Sequence, residues 1–249
     1  MNTEKVFEYL NFFRKLPTYQ FERRIDAFIL PYLEIHFNKH FKNKFKDNQA
    51  DFIFLYPELP IERSSLMRNS DPEKKQEKLA DYVDYVMWSK FLNTIYLVEF
   101  KTEVNSLTFA QFKTYMEACQ QGWLSLVNYY FKKAINNNNW RKFAFGLDYI
   151  HDKAPGILGL NGPLRFQEFV KRNRGFGVHV YLEKLKSEIR IQKEPDLKFI
   201  YLAPAKSEMK LNSFADSIEN SELFYEGLIS LFDFAESTDG DLKKLLQNI

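Results

Sequence analysis

Two short runs of strand-forming residues carry charges at positions where a buried strand is normally apolar. Asp84 lies in the first run, residues 83–88, and Glu99 and Lys101 lie in the second, residues 96–101. Aromatic and β-branched residues favour strands, whereas Asp, Glu and Lys are depleted there. A buried charge is costly unless an opposite charge or a metal ion pairs with it. The pattern therefore predicts two neighbouring strands whose charged groups meet.

The composition is typical of one large domain with a substantial core. The chain has 249 residues, of which 45% are hydrophobic and 17% aromatic. No stretch approaches the roughly 20 apolar residues that span a membrane, and the N-terminus lacks the basic-then-apolar pattern of a signal peptide. We therefore expect no membrane partner. The single cysteine, Cys119, excludes an internal disulfide, so we expect a reducing cytoplasmic location.

The net charge of +2 is too small to indicate nucleic-acid binding by itself. Two local clusters of basic residues are more suggestive, because such clusters can neutralise phosphates. The alternative is that each cluster is a solvated face whose aromatic residues pack inward. The clusters consist of Lys39, Lys42, Lys44 and Lys46, interleaved with Phe37, Phe41 and Phe45, and of Lys171, Arg172 and Arg174.

Four segments have the composition and the flanking residues of strands. They are residues 51–57, stopped by Pro57 and Pro60, then 82–88, 95–101 and 198–204. The first three should form an antiparallel meander, and the last should join after a helical crossover. The fold class is therefore α/β, a central mixed sheet of about four strands flanked by helices.

Apolar residues at three- and four-residue steps predict the helices. One begins near Phe21, and Pro31 should kink or divide it. A long amphipathic helix is expected over residues 108–134. Residues 140–151 fit both a strand and a helix, and the helix is favoured. A further helix is expected over residues 220–234.

The hairpin register brings the charges of the two runs together. If the turn is centred between residues 91 and 92, Asp84 lies opposite Glu99, with Cβ atoms about 4.5–5.5 Å apart. Two carboxylates this close repel each other unless a cation sits between them. Glu99 and Lys101 are two residues apart and so project from one face. Asp84, Glu99 and Lys101 can thus share one pocket.

This set of residues suits a divalent-metal site with a lysine beside it. Carboxylates are hard oxygen ligands of the kind that Mg²⁺ or Mn²⁺ prefers. Lys101 can hold an attacking water molecule and offset negative charge on a phosphate. Asp81 competes with Asp84 as the ligand, but a regular strand cannot point both inward. Asp84 is preferred because four apolar residues follow it.

At this point the chain resembles a known family. Asp84, followed by Glu99-Phe100-Lys101, is similar to the D…(D/E)xK signature of the PD-(D/E)xK nuclease superfamily, which includes restriction-endonuclease-like and RecB-like nucleases. Residues 111–115 resemble the QxxxY element of RecB-type members, and the order of helices and strands is also similar. The sequence has no internal repeat and no clear linker, so we expect one domain over 1–249. The resemblance covers a nuclease-like core at about 20–135 plus 197–204, which leaves a helical insertion at about 136–196 and a helical extension at 205–249.

The resemblance implies a role for each matching residue. Asp84, Glu99 and the Phe100 carbonyl would bind Mg²⁺ or Mn²⁺, and Lys101 would support the nucleophilic water. Gln111 would steady the site.

Tyr115 would reinforce that contact one turn later. An acidic residue on the first core helix is also implied; Glu22 is the candidate, and Asp26 and Glu34 are its rivals. The implied activity is metal-dependent hydrolysis of a phosphodiester, with nucleic acid, most readily DNA, as the partner. A homodimer would most easily cut both strands of a duplex.

Several alternatives remain open on the sequence alone. Val83 stands where the family pattern has Pro. Gln111 also completes a capping-box pattern with Thr108, Tyr115 could be plain core, and Glu22 could complement a helix N-terminus. The chain could instead be a non-catalytic binding module on the same scaffold, or a helix-rich interaction protein without a site.

Overall fold

The computed structural model describes residues 25–45, 51–62, 80–135, 140–158 and 193–231, together with residues 183, 186, 191 and 233. Within these ranges the chain forms five α-helices and five strands, here in chain order. They are α1 (Ile25–Phe45), β1 (Ile53–Glu62), β2 (Ala80–Ser89), β3 (Thr94–Phe100), α2 (Phe109–Gln121), α3 (Trp123–Ile135), α4 (Trp140–Lys153), β4 (Asp196–Ala203), α5 (Glu208–Asp216) and β5 (Tyr225–Ser230). The predicted helix at Phe21 starts outside these ranges.

The strands form one mixed sheet in the order β1-β2-β3-β4-β5. Strands β1, β2 and β3 are antiparallel, and β4 and β5 each add in parallel. The predicted α/β class with an antiparallel meander and a later strand is confirmed. A short turn joins the antiparallel strands β2 and β3, whereas β4 follows a helical crossover, so this topology agrees with the rule that parallel neighbours need a long connection.

The helix expected over residues 220–234 is wrong in its central part. Residues Tyr225–Ser230 form β5, which pairs with β4 and extends the sheet into the segment expected to be a helical extension. Gly227 has a φ of 113°, a conformation that interrupts an α-helix. The apolar spacing of this segment fits both structures, and pairing with β4 decides between them.

The predicted hairpin register is confirmed. Tyr85 pairs with Val98 and Ser89 with Thr94, so the turn is centred between residues 91 and 92. Asn93 takes a φ of 49°, and its N–H donates to the Lys90 carbonyl at 3.3 Å. This tight turn fixes which residues of β2 and β3 lie opposite each other.

Strand β1 runs five residues beyond its expected end. It continues through Pro57 and Pro60 to Glu62 and pairs with β2 along this length. Proline lacks the N–H of a ladder hydrogen bond, so it is tolerated on an edge strand, where one side needs no partner. In the sheet order β1 is such an end strand, which is why the prolines do not stop it.

The long helix expected over residues 108–134 is two helices. Gly122, with a φ of 81°, ends α2, and α3 begins at Trp123. The Glu194 carboxylate lies where a Gly122 side chain would be, and it accepts a hydrogen bond of 2.8 Å from the Leu124 N–H at the start of α3. The favoured helix at residues 140–151 is confirmed as α4. Pro31 lies within α1 and does not divide it.

Helices cover both faces of the sheet. On one face, Phe37 and Phe41 of α1 pack against Tyr96 of β3, with ring centroids 6.0 and 4.8 Å away. On the other face, Phe112 of α2 packs 5.0 Å from Phe199 of β4. Helices α3 and α4 contact β1 beside α2. The result is a three-layer α/β structure with aromatic residues on both sides of the sheet.

The first basic cluster is explained by this packing. Phe37 and Phe41 are fully buried, whereas Lys39 and Lys42 are exposed. The interpretation in which the aromatic residues pack inward is therefore confirmed for these positions. Lys46 and the second cluster, residues 171–174, lie outside the described residues.

An ionic cluster connects α1 to β5, the strand at the other end of the sheet order from β1. Glu226 of β5 accepts hydrogen bonds from the Lys198 ammonium at 2.9 Å and the Tyr96 hydroxyl at 3.1 Å, and it also pairs with Lys44. Although burial raises the pKa of Glu226, the hydrogen bonds from both lysines outweigh burial and hold that pKa below its usual value. Glu226 thus binds three elements, α1, β3 and β4, to β5.

Among the helices that the structure describes, none is both long and apolar enough to cross a lipid bilayer.

Gly146 allows α4 to approach β1 closely. A Cβ atom at this position would meet the hydroxyl oxygens of Tyr56 and Tyr130, which are hydrogen-bonded to each other at 2.8 Å. Alanine normally favours a helix over glycine by about 1 kcal/mol. Here we expect Gly146→Ala to lower the free energy of unfolding by about 1–3 kcal/mol, because the methyl group overpacks the interface.

Urea denaturation measures this change. In a Tyr56→Phe/Tyr130→Phe background both hydroxyls are gone, so the cost of Gly146→Ala should shrink. An equal cost in both backgrounds would show that the tyrosine hydroxyls are not what excludes a side chain.

Candidate active site at the end of strand β3

Five of the predicted residues converge at one end of the sheet. Asp84 comes from β2, Glu99 from the end of β3, and Lys101 directly follows β3. Gln111 and Tyr115 come from the first two turns of α2, which covers this face of the sheet. The cluster lies at the carboxyl ends of the parallel strands β3 and β4, where α/β sheets commonly bind ligands.

The Glu99 carboxylate is the centre of the cluster. Its side chain is buried, with 3% of the residue exposed. Its Oε1 atom accepts hydrogen bonds from the Gln111 amide at 2.7 Å and from the Lys101 ammonium at 2.6 Å. The Tyr115 hydroxyl donates to Oε2. Three donors from two elements therefore hold this carboxylate in one orientation.

Asp84 lies beside Glu99 on the same face. Its Oδ2 atom accepts a hydrogen bond of 2.8 Å from the Phe100 N–H. This bond lies just beyond Tyr85–Val98, the last backbone pair of β2 and β3 at this end of the hairpin. Asp81 is three residues away on the same strand, so its side chain projects from the opposite face. The structure thus brings Asp84, and not Asp81, to Glu99.

The ionisation of Glu99 reflects two opposing influences. Burial, and after it the negative charge of Asp84, raises the pKa of Glu99 to about 8. The Lys101 ammonium and the hydroxyl of Tyr115 act in the opposite direction but do not fully compensate. One lysine is therefore insufficient to neutralise two neighbouring carboxylates, and an additional cation would stabilise both.

Lys101 connects the buried carboxylate to the surface. Its N–H continues the ladder with a hydrogen bond of 2.9 Å to the Leu202 carbonyl, which fixes its backbone. Its side chain is 17% exposed, against 4% for that of Glu99. The Lys101 side chain is therefore more accessible to solvent than the carboxylate with which it pairs.

Gln111 combines a structural and a site role. Its backbone N–H donates to the Thr108 hydroxyl at 3.2 Å, so Thr108 is the N-cap of α2 as the capping pattern predicts. Its side-chain oxygen does not accept the reciprocal capping-box bond from the Thr108 N–H, and its amide N–H donates to Glu99. The two interpretations of the sequence pattern therefore coexist, with the side chain assigned to the site.

Tyr115 likewise belongs both to the hydrophobic core and to the candidate site. The residue is fully buried, and its ring lies 5.7 Å from Phe199 at an angle of 28°. Burial, and after it the charge of Glu99, raises the pKa of the Tyr115 hydroxyl far above its usual value. The hydroxyl therefore remains a hydrogen-bond donor to Glu99 at every physiological pH.

Of the three candidates for the acidic residue implied on the first helix, the structure describes the side chain of Glu34 alone. Glu22 lies outside the described residues, and so does the side chain of its rival Asp26. The other rival, Glu34, accepts a hydrogen bond of 2.9 Å from the Phe54 N–H and so binds the backbone of β1. Within the part of the chain that the structure describes, no group of three or more His, Cys, Asp or Glu side chains is arranged to hold a metal.

Sequence reasoning missed one neighbour of the site. Tyr201 of β4 lies directly beside Glu99 in the parallel register, so both side chains project from the same face. The alternation of Phe199 and Tyr201 in the strand was visible in the sequence. Their alignment with Glu99 was not, because it depends on a pairing across about a hundred residues of chain.

The pKa of Glu99 is raised and that of Glu226 is lowered, so the two residues predict opposite changes of folding stability with pH. Between the usual value of 4.5 and about 8, folded Glu99 binds a proton that the unfolded chain has lost, so stability falls as pH rises. Glu99→Gln removes this titration. We expect the stability of the variant relative to wild type to rise by up to a few kcal/mol over this window, measured by urea denaturation from pH 4 to 9.

Glu226→Gln is the matched control. Its lowered pKa means that Glu226 stabilises the fold above pH 4.5, the usual value, and that this contribution is lost in acid. The variant should therefore be less stable than wild type at neutral pH and approach it in acid. A pH-independent difference between Glu99→Gln and wild type from pH 4.5 to 8 would contradict the raised pKa.

Comparison of the chain with known proteins finds no matching family model, no matching curated protein and no matching solved structure. The chemistry of the site therefore follows from the contacts of its own residues. Those contacts unite an acidic pair, Asp84 and Glu99, with one partly exposed cation, Lys101.

Proposed function

We propose that this protein is a metal-dependent phosphodiester hydrolase, a nuclease of the PD-(D/E)xK type that acts on DNA. The observation that supports the proposal most directly is the meeting of Asp84, Glu99 and Lys101 at the carboxyl end of β3. This is the arrangement that the resemblance of the sequence to that superfamily implies. The order of α1, the β1–β3 meander, α2 and β4 agrees with the same resemblance.

The oxygen donors of the site fit a Mg²⁺ or Mn²⁺ ion. Asp84 and Glu99 supply two carboxylates on one face, and hard oxygen ligands suit these ions. The Phe100 N–H points toward Asp84, and the N–H and C=O of one strand residue point the same way, so its carbonyl faces the same side. When bound, the ion would polarise a phosphoryl oxygen and neutralise the acidic pair.

Lys101 would act on the attacking water. As a partly exposed ammonium group next to Glu99, it can hold a water molecule in line with phosphorus and offset the charge of the transition state. The water oxygen forms the new bond to phosphorus and the bond to the leaving oxygen breaks. The proton lost by the water passes to solvent, and the leaving oxygen takes one from solvent.

Gln111 and Tyr115 would keep Glu99 in position during the reaction. Each donates a hydrogen bond to a different oxygen of the carboxylate. A ligand held by two such bonds loses little rotational freedom when an ion binds, which favours binding. The implied acid from the first helix, Glu22, would complete the ligand set.

DNA is proposed as the substrate because the resemblance implies it and because Lys101 offers a cation to a phosphodiester. A cytoplasmic location would give the enzyme access to DNA. One active site per chain cuts one strand at a time, so we propose a homodimer for cutting both strands of a duplex.

The first test is cleavage by matched variants. Wild type should cut plasmid or oligonucleotide DNA with Mg²⁺ or Mn²⁺ and not with EDTA. Asp84→Asn, Glu99→Gln and Lys101→Met should each lower the rate by about 10²–10⁴-fold while remaining folded, because each removes a charged group from the reacting centre.

Glu103→Gln is the control for this series, since Glu103 is an exposed carboxylate two residues beyond Lys101. It should cleave at the wild-type rate. Undiminished cleavage by folded Lys101→Met would contradict the proposed mechanism.

A non-catalytic binding module on the same scaffold is the second candidate. It is favoured by the contacts at Oε1 of Glu99, where Lys101 and Gln111 both donate to the carboxylate and so satisfy it from within the chain. In that case the charged cluster would be structural. Calorimetry with Mn²⁺ would then show no heat of binding, and wild type and Lys101→Met would bind DNA alike without cutting it.

A further inference from the structure

One side chain of α5 is held against the connection from β3 to α2, residues 101–108. The Lys210 ammonium donates a hydrogen bond of 3.2 Å to the Val104 carbonyl, three residues beyond Lys101. It also lies 5.9 Å from the centre of the Phe214 ring, within the range of a cation–π contact. A surface lysine ordinarily carries its charge on a flexible four-carbon stem. Here two contacts fix the position of that charge close to the end of β3.

The ring beside Lys210 is itself anchored by the core. Phe214 packs against Phe109 and Phe112 in the first turn of α2, with ring centroids 5.7 and 5.9 Å away. Phe112 is fully buried. Helix α5 therefore packs on the same turn of α2 that supplies Gln111 to the candidate site, and this packing sets where the ammonium group of Lys210 lies.

The contacts of Lys210 leave its charge available to a ligand. An ammonium group has three N–H donors and no acceptor. One donor goes to the Val104 carbonyl, which is neutral, so this hydrogen bond fixes the ammonium without neutralising it. Among the described residues, no carboxylate forms an ion pair with Lys210. Two donors and a full positive charge thus remain for an anion.

Lys206 adds a second cation on the same side of this segment. It belongs to the 3₁₀ turn Ala205–Ser207, which leads from β4 into α5, and it is exposed. Residues four apart on a helix are neighbours on one face, whereas residues two apart are not. Lys206 and Lys210 are therefore neighbours, and Glu208 between them projects to a different side. We call Lys206 and Lys210 the lysine pair.

The lysine pair lies at the end of the sheet that holds the acidic pair. Strands β3 and β4 are parallel neighbours and end together, where the Lys101 N–H donates to the Leu202 carbonyl. Lys206 follows Ala203, the last residue of β4, by three residues. Its Cα atom is therefore at most about 11 Å from the end of that strand. A DNA duplex carries a phosphate on each strand about every 3.4 Å along its axis, so a strand at Lys101 presents further phosphates to the lysine pair.

We propose that the lysine pair binds the DNA backbone at phosphates that flank the one being cut. Lys101 then acts on the phosphate at the acidic pair, and Lys206 and Lys210 hold its neighbours. The flanking position rests on the proposed function, whereas binding of DNA by the lysine pair does not require cleavage.

The salt dependence of DNA binding tests this proposal. Each phosphate that a protein neutralises contributes about 0.9 to the slope of log affinity against log salt for a duplex, and about 0.7 for a single strand. We expect Lys206→Gln and Lys210→Gln each to reduce the slope by about this amount, and the double variant by about twice as much. Anisotropy of a labelled oligonucleotide in EDTA measures binding without cleavage. Unchanged slopes, or no DNA binding by wild type even at low salt, would overturn the proposal.

Lys90→Gln is the matched control. Lys90 is an exposed lysine in the turn between β2 and β3, at the opposite end of the sheet. The substitution removes the same charge from the protein, and the slope should equal that of wild type. Lys210→Arg keeps the positive charge and should also retain the slope. A loss of slope in Lys90→Gln as large as in Lys210→Gln would show that net charge, and not the lysine pair, determines binding.

Cleavage kinetics separate this proposal from the proposed function. With Mn²⁺, the double variant Lys206→Gln/Lys210→Gln should raise KM and keep kcat, because the lysine pair holds DNA away from the reacting phosphate. If wild type cuts DNA and the double variant matches it in both KM and salt slope, the lysine pair is not a binding surface and the proposed function stands. If wild type never cuts DNA but the slope depends on the lysine pair, the nuclease proposal fails and the binding surface stands.

Discussion

The buried carboxylate of Glu99 is the constraint from which the polar architecture of this end of the sheet follows. A carboxylate removed from water requires hydrogen-bond donors and a positive charge nearby. The chain supplies them from the residue two positions on and from α2, which begins within ten residues of β3. The N-cap at Thr108 sets where α2 starts, and that start sets which side chains of its first two turns reach the carboxylate. The position of α2 and the burial of the Glu99 carboxylate therefore depend on each other.

Glu99 and Glu226 of the sheet differ both in burial and in the charges around them, and their pKa values shift in opposite directions. Glu226 has two lysines and a tyrosine around it, and its pKa is lowered. Glu99 is more deeply buried, and beside it lie one lysine and a second carboxylate, so burial and then the charge of Asp84 raise its pKa. The negative charge of Glu226 is thus stabilised by Lys44 and Lys198, and the resulting ion pairs hold α1 to β5. The cluster at Glu99 has less positive charge around it, which is consistent with the metal site that we propose there.

Sequence reasoning succeeded where the determining interactions are local. The register of the β2–β3 hairpin follows from a tight turn and the two-residue period of a strand, so the shared face of Asp84, Glu99 and Lys101 could be derived. The N-cap at Thr108 is similarly local. Where distant parts of the chain decide, sequence reasoning predicted that β4 joins the sheet but missed other features.

The failures are of three kinds. Gly122 divides a periodic helix at the place where the distant Glu194 carboxylate caps α3. The prolines of β1 are tolerated because of the position of that strand in the sheet order. Strand β5 and the alignment of Tyr201 with Glu99 depend on parallel pairing, for which no turn fixes the register.

Strand β3 receives its second neighbour from far along the chain, since Phe100 pairs with Leu202. During synthesis the hairpin and α2 leave the ribosome well before β4 does. Until β4 arrives, one side of a nearly all-buried strand has unpaired N–H and C=O groups, the kind of edge that recruits strands of other chains. Pairings between distant segments also form slowly, because a long loop must close first. The nascent protein is therefore most vulnerable to self-association at the strand that holds Glu99, and a chaperone that shields it there would protect the whole sheet.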